Sequence, residues 1–108
     1  MGYYTYYNLS LEDVYDPKIE DGVRAKLHEL EVIGYALSED LGGYDSVKWY
    51  DHDEDMLEVS RAFPDVHFVL HGEGDNTEDI WETHYLGGKM ATYMAEIRIP
   101  PFNPEDLR

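Results

Sequence analysis

VHFVLHGEGDNTEDIWETHYLGGKMATYMAEIRI, residues 66–99, decides the fold. Val66, Phe68 and Leu70 alternate with His67, Val69 and His71, the period of a strand with two unlike faces. EGDNTE is a polar turn, and DIWETHYL resumes the alternation with Trp81, Thr83 and Tyr85 set against Glu82 and His84. The GGK at 87–89 is a hairpin signal, because glycine reaches positive φ without steric cost. MATYMAEIRI then reads as the last long strand. Three strands joined by two tight turns make an antiparallel meander.

Upstream, YYTYYNLSL (3–11) is rich in strand-forming Tyr and Thr. YDPK follows, and Pro17 opens a helix whose apolar stripe is Ile19, Val23, Leu27 and Leu30, ending near Glu31. VIGYALS from Val32 and SVKWYD (46–51) are expected as two short strands around a Gly42–Gly43 pivot. Asp51 or Asp53 starts a second helix with Met56, Leu57, Val59, Ser60 and Phe63 inward, and Pro64 closes it. The expected order is β-α-β-β-α-β-β-β. This is an α+β domain over residues 1–99, a mostly antiparallel sheet with two helices on one face, followed by a Pro-rich tail at 100–108.

Composition narrows the function. The 108 residues hold 24 Asp and Glu against 8 Lys and Arg, a formal net charge of −16. Phosphate backbones and anionic membranes are therefore disfavoured as direct partners. A basic protein surface is favoured. With no cysteine there is no disulfide framework and no thiolate chemistry. No apolar run approaches the ~20 residues of a membrane span, and the N-terminus lacks the basic and apolar regions of a signal peptide, so a cytoplasmic location is expected.

No interval between Arg61 and Lys89 contains a cation, while it holds Asp65, Glu73, Asp75, Glu78, Asp79 and Glu82. Together with Asp51, Asp53, Glu54 and Asp55 these acids are expected to form one negative field, with Tyr50 or Trp81 as an apolar anchor. Other chemistries have weaker signals. If His67 lies across from His84, with Glu82 beside them, two imidazoles and a carboxylate could hold zinc, but no HExxH occurs. DHDED has the acid density of a calcium loop without its central glycine. HGEGD and GGK lack the spacing of phosphate-binding loops, and no serine stands in a GxSxG elbow. No catalytic residue or cofactor is assigned, and the expectation is a protein without enzymatic activity.

The run VKWYDHDEDMLEVSRAFPDVHFVLHGEGDNTEDIWETHYLGGKM (47–90) resembles small proteins carried by bacteriophages and mobile elements: a Lys-Trp strand, a helix of the MLEVSRAFPDV kind, a strand ending in HGEG, then DIW and a Gly-Lys turn. It is also similar to ferredoxin-like domains in which LSRxFP precedes a central strand; here the motif reads VSRAFP. The resemblance implies an accessory protein acting in the host cytoplasm as an inhibitor of a host-defence nuclease, in the manner of anti-CRISPR proteins and DNA mimics. The alternative is a metal-binding protein or small metal-dependent hydrolase using His67, Glu82 and His84. A third reading is an assembly protein that dimerises through an edge strand.

Overall fold

In a computed structural model, residues 4–43, 45–74, 79–96 and 98–108 are described. Four strands, β1 (Tyr6–Glu12), β2 (His67–Glu73), β3 (Ile80–Leu86) and β4 (Lys89–Met94), form one antiparallel sheet in chain order. Two helices, α1 (Pro17–Glu29) and α2 (His52–Ala62), lie between β1 and β2 in sequence. The layering is that of a ferredoxin-like α+β sandwich, an antiparallel sheet packed by two helices. The connectivity is its own, because among the described residues no strand separates the two helices.

Each helix begins where the sequence supplies a stop and a cap. Asp16 accepts a hydrogen bond from the Lys18 amide (2.9 Å) and Pro17 fills the first turn of α1. Asp51 caps α2 through its backbone position, with Asp53, Glu54 and Asp55 in the positive first turn. Val23 and Leu27 of α1 and Met56 and Val59 of α2 are buried against Tyr7, Leu9, Phe68, Leu70 and Tyr85 of the sheet. The register aligns Leu9 with Leu70 and Leu70 with Thr83, so one face of the sheet is continuous and dry. The opposite face carries His67, His71, Glu82 and His84.

The expected strands at Val32 and at 46–51 are not formed. Residues 32–43 and 45–49 are folded loop with single bridges at Ile33–Leu37, Leu37–Gly43 and Thr5–Val47. Positive φ at Gly34 and Leu41 breaks any extended run. Its apolar residues (Val32, Ala36, Leu37, Leu41, Trp49) are buried all the same, which is why the sequence reads as strand. The loop covers the outer edge of β1: Leu9 donates to the Leu41 carbonyl (2.9 Å) and Thr5 exchanges hydrogen bonds with Val47 (2.9 and 3.1 Å). The last strand stops at Met94, short of the expected Ile99.

The β3–β4 turn is anchored to α2. Gly87 and Gly88 take φ of 59° and 78°, the pair of positive values that a two-residue hairpin requires. Ser60, fully buried, donates to the Leu57 carbonyl (3.1 Å) and accepts from the Gly88 amide (2.9 Å). Ser60→Ala leaves that amide without its partner, and the expected loss is about 1–3 kcal/mol in urea unfolding. Ser60→Thr, which keeps the hydroxyl, is expected to recover part of it.

Candidate functional site

The start of α2 and the start of β3 meet at His52 and Trp81, with Asp51, Asp53, Glu54 and Asp55 on the one and Asp79 beside the other. Trp81 occupies the helix-covered face of β3 beside Gly72 of β2. Its indole stacks on the imidazole of His52, the first residue of α2, with ring centroids 5.0 Å apart and planes at 24°. Tyr7 lies edge-on to both Trp49 (5.2 Å) and Trp81 (6.0 Å). A cleft of about 200 Å³ opens among these rings, lined also by Lys48, Tyr50 and Asp79. A second concavity of about 460 Å³ lies on the far side of Tyr50, between Tyr35, Trp49, Asp51 and Asp55. Tyr50, 71% exposed, is the ridge between them.

The sequence-derived residues divide by role. Asp51 and Glu54 are exposed at the helix start. Asp53 accepts a hydrogen bond from the buried Tyr85 hydroxyl (2.6 Å), and Asp55 accepts one from the Trp49 indole (2.7 Å). These two carboxylates fasten α2 to the aromatic core, and Asp53 Oδ1 also lies 3.1 Å from His52 Nδ1. Asp79 reaches the cleft from β3. Glu73 and Glu82 sit on the other face of the sheet with His71, which lies 3.2 Å from Glu73 and 3.7 Å from Glu82. Asp75 and Glu78 lie outside the described residues. Asp51, Asp55 and Asp79 thus border the concavities at Tyr50, and Glu73 and Glu82 lie behind the sheet.

Among the described residues, ion pairs of Arg24, Lys26 and Arg98 fall on Glu20, Asp21, Glu29, Glu58 and Glu96. Lys48, at the rim of both clefts, lies over the Tyr4 ring, 4.9 Å from its centroid. Sequence reasoning left out His52 and Lys48. The His52–Trp81 stack joins residues far apart in sequence, and no local pattern signals it.

The histidine cluster differs from its expected register. His71 pairs with Glu82 and Val69 with His84, two residues from the register that sets His67 across from His84. An even shift keeps every side chain on its face, so His67 still reaches His84 diagonally, Nε2 to Nδ1 2.8 Å. That contact is a hydrogen bond in which one ring donates. Glu82 approaches the other nitrogen of His84, Nε2, at 3.8 Å. Among the described residues, no three His, Asp or Glu side chains converge as a metal site. No helix among the described residues is long and apolar enough to cross a membrane.

Burial pushes the Tyr85 hydroxyl well above the usual phenol range, and the Asp53 carboxylate beside it acts in the same direction. Tyr7 is raised too, chiefly by burial. A raised folded-state pKa gives stability that is complete below the unfolded value and lost above it. Unfolding is expected to become easier as pH rises beyond about 10, where the unfolded tyrosines ionise. Tyr85→Phe is expected to flatten that alkaline decline in a urea–pH series. At neutral pH the same variant loses about 1.5–3 kcal/mol with the charge-assisted hydrogen bond.

No family model, curated protein or solved structure matches the chain.

Proposed function

We propose that this protein is an acidic interaction module that binds a basic surface on a nucleic-acid-handling protein, in the manner of a DNA mimic that inhibits host defence. The observation that supports the reading best is that Asp51 and Asp79 line the two concavities that share the exposed Tyr50, with none of the described Lys or Arg ion pairs falling on them. Carboxylates spaced over a rigid aromatic frame offer Arg and Lys side chains what phosphates offer them, acceptor oxygens at a negative potential. Tyr50 and Trp81 add flat apolar surface on which a guanidinium stacks. The frame costs little entropy on binding, because Asp53 and Asp55 already hold the helix start to Tyr85 and Trp49.

A competition experiment tests this. A basic DNA-binding nuclease carrying a fluorescent duplex is titrated with the protein. Displacement of the duplex, weakening as salt is added, is the expected result. Co-occupancy of nuclease by duplex and protein, or no association at low salt, contradicts the reading. The second reading, a bound metal, draws on the 2.8 Å approach of His67 and His84. It expects near-stoichiometric zinc in protein purified without chelator, lost in His67→Ala.

A further inference from the structure

We infer that two copies of this chain pair through the free edge of β4, antiparallel about Thr92, to make one eight-stranded sheet. The two edges of the sheet are treated differently. The β1 edge is covered by the 32–49 loop through Leu41 and Val47. Along β4 the described chain offers no such cover, and all six residues of the strand are exposed. The strand has no proline or bulge to blunt it, and its one charge is Lys89 at the turn.

The hydrogen-bonding direction fixes a register. Ala95 donates to the Ile80 carbonyl (2.8 Å), so the odd-numbered residues of β4 face β3. Met90, Thr92 and Met94 therefore turn their amides and carbonyls to the open edge. A twofold axis at Thr92 sets Thr92 opposite its own copy and Met90 opposite Met94 of the second copy. Every outward donor and acceptor of the three residues then finds a partner. Residues on the same face stay on the same face, so both helical layers lie on one side of the joined sheet.

Charge argues for a second copy over another occupant. In a chain of net charge −16, residues 83–95 are the longest run without Asp or Glu. This is the stretch along which two such chains approach without opposed carboxylates. The antiparallel arrangement sends the two acidic poles to opposite ends of the pair. It sets Lys89 of each copy opposite the uncharged Ala95 of the other. The exposed Met90 and Met94 gain apolar neighbours. This inference does not rest on the proposed function.

Sedimentation velocity on the full chain, over a wide concentration series, tests it. A dimer is expected. Thr92→Pro removes an outward amide and no backbone bond to β3, but it also loses the Thr92–Thr83 hydroxyl contact (2.9 Å); it is expected to give a monomer with an unchanged far-UV spectrum, while Thr92→Val, which loses that contact alone, is expected to stay a dimer. Met90→Lys with Met94→Lys places like charges across the seam and is expected to give a monomer. Met90→Glu with Met94→Lys pairs opposite charges in this register and is expected to restore the dimer. A monomer at every concentration overturns the inference. So does a dimer that survives the double lysine variant, or one that the Glu–Lys variant fails to restore.

Discussion

Phe68→Ala is expected to cost about 3–5 kcal/mol of folding stability, the largest single loss in the molecule. Phe68 is fully buried near the start of β2, opposite Leu11 on one side and Tyr85 on the other. Truncation removes its transfer free energy and leaves a cavity that rigid neighbours on both strands do not close. A domain of this size has roughly 5–15 kcal/mol in total, so the variant stands near the limit of folding. Urea unfolding should show a lower midpoint with an unchanged slope. Phe68→Leu, which refills most of the volume, should recover well over half of the loss.

The second large effect is on recognition. Asp51→Lys with Asp79→Lys is expected to weaken binding to an arginine-rich peptide by roughly 100-fold. The pair adds cations on both sides of Tyr50. A control with the same change in net charge, Glu12→Lys with Asp65→Lys, alters exposed residues at the other end of the sheet, where Glu12 pairs with His67. The control is expected to weaken binding by less than about fivefold, because most of its field is screened over that distance. Equal losses from the two pairs would mean that total charge decides binding, not the pole. Isothermal titration at fixed ionic strength separates the two outcomes.

The meander was legible because its residues agree at every level. Phe68 and Leu70, then Thr83 and Tyr85, alternate with polar neighbours, and Gly87–Gly88 permits one turn geometry. Helix α2 was legible from Met56, Val59 and Ser60 on one side and from Pro64 at its end. The 32–49 loop was not. Val32, Ala36, Leu37 and Trp49 are as apolar as strand residues because they are buried, and burial does not require extended backbone. Gly34 and Leu41, at positive φ, are the positions where the turns override that signal. The register of β2 and β3 was misread by two residues because the turn sequence EGDNTE does not by itself fix where pairing begins. Parity survived the error, and with it the face of every histidine. The acidic pole was half legible. The sequence shows that cations are missing from 62–88, but only the fold brings His52 onto Trp81 and sends Glu73 and Glu82 behind the sheet.

The most direct measurement of the central claim is the association rate with an arginine-rich peptide, followed by stopped flow as ionic strength is raised. A negative pole around Tyr50 predicts fast association at low salt that falls steeply with added salt, while dissociation changes little. An association rate that stays flat across the salt series would contradict it.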